Sequence, residues 1–317
     1  MRGKPKIGWI LKGDEKLASS RIHGINIHNY LKSRGWNSTV ISKNSIPSSN
    51  LNLGWLGLLK IACGRYDVII FQQVAFGDAF TLFRLNSLLG TKSCFSVCDL
   101  IDFEIAGKAT CVVVPSFYLQ ELYLKRNSQT YVISDAIEHE ISKAKRRYCG
   151  EGATIKLVWV GTKDAWELLD LLKSVLSQPG FSNFSLITIS DHPESSFQWS
   201  IEDVWDRIME CDVAVIPSQD TQWYMAKSNN KLSTFMALGM PVIAHPVPSY
   251  QKMKEAGAPV MLASSSTEWT EALDVMRSPR EREQLGRQAR EFVLANYSLE
   301  NIGPVWENLL LKLANGG

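Results

Sequence analysis

Long apolar runs are missing from this chain: no stretch of its 317 residues approaches the ~20 apolar residues of a membrane-crossing helix. An apolar leader ahead of a cleavage site is missing too. Met1-Arg2-Gly3-Lys4-Pro5-Lys6 leads straight into the strand-like Ile7-Gly8-Trp9-Ile10-Leu11, which makes the cytoplasm the expected location. Histidine is scarce, five residues in all, and unclustered. The six cysteines are scattered, and Cys94 and Cys98 lack the second pair or nearby histidines that would complete a zinc site. Buried free thiols and no metal are the expectation. Neither half contains a full G-x-G-x-x-G, which argues against a nicotinamide dinucleotide. Repeats and low-complexity tracts are absent as well.

What is present is ordinary globular composition, 45% hydrophobic and 21% charged, in a length suited to two cores. Net charge is +2 but unevenly spread: residues 1–150 hold 20 Lys+Arg against 11 Asp+Glu, the remainder 14 against 21. A basic first half points to an anionic partner there, phospholipid headgroups or a lipid-phosphate acceptor, against the plainer reading of a solvated face. No nucleic-acid partner is expected. Each half alternates continuous apolar strands with helices, the pattern of a parallel sheet covered on both faces. A basic, glycine-containing stretch near residues 143–153 reads as the linker.

The most informative segment is Ala226-Lys227-Ser228-Asn229-Asn230-Lys231-Leu232-Ser233-Thr234-Phe235-Met236-Ala237-Leu238-Gly239-Met240-Pro241-Val242-Ile243-Ala244. It reads as a loop, a short helix capped by Asn230, a glycine stop and a buried strand. Lys227, Ser228, Asn230 and Lys231 crowd a helix start whose N–H groups and dipole favour an anion. On one continuous helix the two lysines would share a face; with Asn230 as cap, Lys227 stays in the loop and only Lys231 is fixed by the helix.

Lys-Ser-x-Asn-Lys-Leu followed by Met-Ala-Leu-Gly-x-Pro-Val-Ile-Ala resembles the donor-binding segment of GT-B fold glycosyltransferases, in particular bacterial family 4-like enzymes (glycosyl transferases group 1). Weaker echoes are Thr110–Ser116, Val132–Ile137, Leu157–Thr162 and Cys211–Ser218. The resemblance implies an α/β fold of two Rossmann-like domains facing an interdomain cleft. Residues 1–150 would bind the acceptor, 151–300 the nucleotide sugar, and a terminal helix, 301–317, would return to the first domain. It also implies transfer of a sugar from a nucleotide-diphosphate donor to a glycan or lipid-linked acceptor, as in polysaccharide biosynthesis. Retention of configuration, and neither metal nor other cofactor, follow from the same resemblance. Two rivals stand beside it: a nucleotide-sugar epimerase of the same fold, and a non-catalytic scaffold or binding protein.

Lys231 and Lys227 are the residues expected to neutralise the departing diphosphate. Ser228, Asn230 and the backbone at Leu232 could hydrogen-bond the same oxygens. Family 4-like enzymes carry two glutamates eight positions apart around this segment, the second on the ribose; here Ala226 and Thr234 stand there, and Thr234 offers only a hydroxyl. Ligands of open α/β sheets bind beyond the carboxyl ends of strands, which adds Gly161, Thr162, Asp191 and Ser218 for the donor, and Gly13 and Asp99 for the acceptor or cleft. Arg21 and His23 join them from the first helix, for which Ser20 reads as cap. Asp102 is the candidate base, although a retaining transfer needs none if the departing phosphate takes the proton. Leu51–Lys60 is apolar enough to dock at an interface with Trp55 as anchor, so peripheral contact at the inner face of a membrane stands beside the reading of a packing helix.

Overall fold

The computed structural model describes residues 4–101, 103–138, 143–145, 147–148 and 154–316. The chain divides into two compact units: Met1–Glu138 with Ala226–Ser228 and Ser298–Gly317, and His139–Met225 with Asn229–Tyr297.

Unit 1 is built on strands β1 (Lys6–Leu11), β2 (Asn37–Lys43), β4 (Val68–Gln72), β6 (Lys92–Ser96), β7 (Cys111–Val114) and β8 (Thr130–Val132), with β3 (Asn50–Leu51) and β5 (Phe76–Gly77) pairing separately. All run parallel, in the order β2-β1-β4-β6-β7-β8. Val68–Gln72 is buried at every position, as a strand covered on both faces requires. Around the sheet lie α1 (Ala18–Ser20), a π-helical turn (Arg21–Ile25), α2 (Asn26–Ser33), α3 (Gly54–Cys63), α4 (Asp78–Leu89), α5 (Phe103–Lys108) and α6 (Phe117–Leu124), the last capped by the Ser116 hydroxyl as a sequence cap should be.

Unit 2 repeats the plan with β9 (Ile155–Val160), β10 (Phe184–Ser190), β11 (Phe197–Gln198), β12 (Val213–Ile216), β13 (Val242–Ala244) and β14 (Val260–Leu262), ordered β11-β10-β9-β12-β13-β14. Its helices are α7 (Asp170–Leu176) after a 3-10 stretch Lys163–Leu169, α8 (Val204–Met209), α9 (Gln222–Met225), α10 (Asn230–Ala237), α11 (Pro248–Glu255), α12 (Ser266–Val275) and α13 (Pro279–Tyr297). The final helix, α14 (Leu299–Ala314), belongs to unit 1. Its Trp306 ring lies 6.0 Å from that of Trp9, Glu307 accepts from the Trp36 indole at 2.7 Å, and Gly303 leaves the space the Tyr30 ring fills.

Two boundaries differ from the sequence reading. The first domain ends at Glu138 rather than 150, because the basic stretch is tied to unit 2: the Lys145 N–H donates to the Leu238 carbonyl at 2.8 Å, and the Tyr148 hydroxyl to that of Gly239 at 2.7 Å. Ser20 is no cap. It is buried at the end of α1, where its hydroxyl donates to Gln72 and accepts from the Gly13 N–H, pinning the loop after β1. Among the described residues no helix is long and apolar enough to cross a membrane.

Candidate functional site

Both sheets gather their polar groups beyond the carboxyl ends of the strands, around the point where strand order reverses. In unit 1 that point lies between β1 and β4. The loops there, Lys12–Gly13 and Gln72–Gln73, stand next to the residues following β6 and β8. Gln73 adopts a left-handed φ of 52°, a strained conformation for a side chain of its size, and its N–H donates to the Ser96 carbonyl at 2.8 Å. Held this way, its amide donates to Asp99 Oδ2 at 2.8 Å. The other oxygen of Asp99 takes the Lys227 ammonium at 2.9 Å. Burial raises the Asp99 pKa, but Lys227, Gln73 and Lys12 together outweigh it, and the carboxyl is held below its usual range.

Asp135 sits deeper. Its carboxylate meets His23 Nδ1 at 3.2 Å and the Ser228 hydroxyl, in a pocket walled by Ile22, Ile27, Ile133 and Trp306. Burial dominates here and raises its pKa, with the Asp99 charge adding to the effect and His23 and Ser228 opposing it. Arg21 is committed elsewhere: its guanidinium forks onto the Glu138 carboxylate, 3.1 Å on one arm, and donates to the Glu15 carbonyl at 2.9 Å. Cys98 lies beside Asp99, and burial pushes its thiol up.

Residues 226–228 therefore group with unit 1, while α10 begins in unit 2. Of the two readings for the lysine pair, the loop placement of Lys227 is the one found. The cap position falls one residue earlier than expected: the Asn229 carbonyl accepts the first helical bond, from Ser233, and Asn230 is the first helical residue. The Asn229 side chain makes no cap and no acid occupies the first turn, where half-buried Lys231 lies. The far end of α10 is tightly fixed. Gly239, at φ 78°, allows the Met240 and Gly239 N–H groups to close on Phe235 and Met236. Arg290, the Lys145 N–H and Tyr148 then satisfy the carbonyls of Ala237, Leu238 and Gly239.

Elsewhere in unit 2, Asp191 accepts from the Lys163 N–H at 2.6 Å, tying the end of β10 to the residue after Thr162. Ser218 is half-buried just past β12. Gly161 is needed for packing: a Cβ there would come within 2.2 Å of the Trp159 indole. The space beside this expected donor residue is filled by the chain's own tryptophan. Trp166 stacks on His192, centroids 4.0 Å apart and planes 5° apart, and His245 pairs with Asp220 at 2.9 Å. Thr234 and Leu232 are buried, and Ala226 belongs to the apolar cluster of unit 1 that includes Phe95 and Val97. Asp102 lies outside the described residues.

Sequence reading overlooked Asp135 and Trp166. The first could have been found by the strand-end rule already applied to Asp99, since it follows β8 within three residues. Nothing in the spacing marks Trp166 as the partner of His192.

Residues 197–307 match a family model described as glycosyl transferase-like. No curated protein matches the chain in sequence. Solved structures resemble it over nearly the whole length. A glycosyltransferase from Rickettsia africae is 12% identical with a TM-score of 0.76, covering 100% of both chains. The catalytic domain of starch synthase IV from Arabidopsis thaliana, bound to ADP and acarbose, is 10% identical with a TM-score of 0.72, covering 99% of this chain and 100% of that one. HepE of Anabaena, in complex with UDP and glucose, is 12% identical with a TM-score of 0.68, covering 97% and 99%. At such identities the likeness speaks for the fold. Two parallel-sheet α/β units, matched end to end by these structures, place the chain in the GT-B fold, with a glycosyl transferase-like segment across its second half.

Proposed function

We propose that the chain transfers a sugar from a nucleoside-diphosphate donor to a hydroxyl of a glycan or lipid-linked acceptor, with retention at the anomeric carbon and without a metal ion. The observation that carries this reading is the start of α10. An acid-free first turn with Lys231 in it, on a helix locked at its other end, lies inside the segment matched as glycosyl transferase-like. That HepE holds UDP and starch synthase IV holds ADP in the same fold supports a nucleoside diphosphate as the anion.

In this reading the bond between the anomeric carbon and the donor phosphate breaks, the acceptor oxygen bonds to that carbon, and its proton passes to the departing phosphate. Lys231 and the α10 N-terminus stabilise the charge that develops on the leaving group. Lys227 shares its charge with Asp99 and stands in the loop ahead of α10, whereas Lys231 lies in the helix's first turn. Asp99, ionised and anchored by Gln73, suits hydrogen bonding to a sugar hydroxyl better than proton abstraction. Ala226, packed among apolar side chains, has no room for a carboxylate; ribose recognition falls to Thr234 and Ser218, with the Trp166–His192 stack as a surface for the base.

Thermal-shift measurement with UDP, ADP and GDP tests the donor half of the proposal, because a ligand that binds only the folded state raises stability with its concentration. One of these should raise the melting temperature of the wild type and leave that of Lys231→Ala unmoved. A wild type stabilised by none of them sinks the reading. Release of the diphosphate from its sugar only when an acceptor is added tests the transfer.

A further inference from the structure

Helix α3 is exposed along the side that carries its largest residues. Trp55 is 68% exposed, Leu56 65% and Leu59 51%, while of its ten residues only Ile61 is fully buried. Single exposed apolar residues are commonplace, but these three sit on one helical face, and Lys60 continues it. The helix is firmly seated: the Asp78 carboxylate accepts from the N–H groups of Leu53 and Gly54 at 2.6 and 3.0 Å, and Leu58 packs onto the unit 1 core.

The surroundings are basic. No Asp or Glu occurs between Glu15 and Asp67, a stretch that holds Lys43, Lys60 and Arg65, and none occurs between Asp78 and Asp99. At the end of α3 a groove brings Cys63 and Arg65 together with Leu89 from the end of α4, where Leu88 is 83% exposed, and with Lys92 at the start of β6. The one acid lining that groove, Asp67, accepts from the Lys6 N–H at 2.7 Å. An apolar face bearing a tryptophan and flanked by cations is the chemistry of a helix lying in an anionic lipid interface; a protein partner for it would have to be both apolar and acidic.

We propose that unit 1 rests on a membrane surface rich in anionic phospholipid, with Trp55, Leu56 and Leu59 of α3 entering the acyl boundary and Lys60, Arg65 and Lys92 meeting headgroup phosphates. This surface is argued without reference to the transfer reaction, and its test reads lipid partition alone. The full chain is floated with vesicles of phosphatidylcholine and with vesicles containing about one-third phosphatidylglycerol. It should float with the anionic vesicles, and raising salt from about 50 to about 500 mM should weaken partition about tenfold. Trp55→Glu with Leu59→Glu should lower partition by at least about 30-fold, and Lys60→Glu with Arg65→Glu about tenfold, at unchanged melting temperature. If the glutamates disturb folding, Trp55→Ala with Leu59→Ala must show the same loss. Wild-type chain that stays with the pellet, variants that float as well as wild type, or a dimer that the Trp55 substitution dissolves, would each overturn the proposal.

Discussion

The two units are built on nearly the same plan and finish their strand ends in opposite ways. Unit 1 has strand order reversing after its second strand; unit 2 runs β11-β10-β9 before reversing to β12. At the unit 1 reversal, charges are already spent on one another: Lys227 with Asp99, His23 and Ser228 with Asp135, Arg21 with Glu138. In unit 2 the corresponding region offers backbone N–H groups at a helix start, a lysine in its first turn, hydroxyls and an aromatic stack. A pre-paired site holds its shape without ligand and binds neutral, hydroxyl-rich molecules by exchanging hydrogen bonds. A helix start with a lysine and no acid in its first turn suits an anion. The architecture supplies two similar crevices, and the charges and helix end placed at each decide which one suits the phosphate.

The largest expected effect breaks that contrast directly. Lys231→Ala should lower transfer by about 10²–10³, the usual cost of removing one preorganised charge-stabilising group, while the melting temperature without ligand barely moves. Lys227→Ala should cost less in transfer, because Lys227 lies in the loop ahead of α10 rather than in the first turn of the helix. Initial rates for both variants under identical donor and acceptor concentrations decide the order, and equal losses would mean that the Asp99 pair opens when donor binds.

The glycines following the first strand of each unit give a second test. A Cβ on Gly161 would lie 2.2 Å from the Trp159 ring, and that ring is buried in the unit 2 core. Gly161→Ala should therefore destabilise by about 1–3 kcal/mol, the range for overpacking. A Cβ on Gly13 meets Leu17 at 3.0 Å and Pro47 at 3.5 Å, and the nearest atom is a flexible leucine end that can give way. Gly13→Ala should change stability by less than about 1 kcal/mol, helped by the smaller entropy of its unfolded chain. Chemical denaturation of the two variants measures both.

The sequence made one side of this comparison plain. Continuous apolar runs such as Val68–Gln72 and Val213–Ile216 mark strands covered on both faces, and Gly239 before Met240-Pro241 marks where α10 stops. The α10 start was legible to within one residue, because the caps available, Asn229 and Asn230, are chemically identical. Unit 1 pairing was not legible. Asp99 and Lys227 are 128 positions apart and share no periodic pattern, and Asp135 shows its role only once β8 brings it beside His23. Gly161 looked like room for a ligand because sequence cannot show that Trp159 turns back to fill the space.

Acid titration separates the two carboxylates of unit 1 by sign. Asp99 is held below its usual range, so its contribution is fully present above the unfolded value, about 4, and is lost as pH falls through the folded one. Asp99→Asn should cost about 1 kcal/mol at neutral pH, a modest sum because Lys227 is partly solvated, and the gap to wild type should close on acidification.

Asp135 gives the smallest effect and the opposite slope. Burial raises its folded pKa, so the native state holds this proton longer than the unfolded chain does. Between the unfolded value and the folded one, each rise in pH costs the wild type stability, because the unfolded chain is the first to release the proton. Asp135→Asn has no proton to release. Its stability relative to wild type should rise as pH goes from about 3.5, below the unfolded carboxylate value, to about 5.5, above it. Paired denaturation curves at those two pH values read the difference. A relative stability that falls over this window would mean that His23 and Ser228 outweigh burial, leaving both carboxylates of unit 1 in the same electrostatic class and erasing the distinction drawn between them.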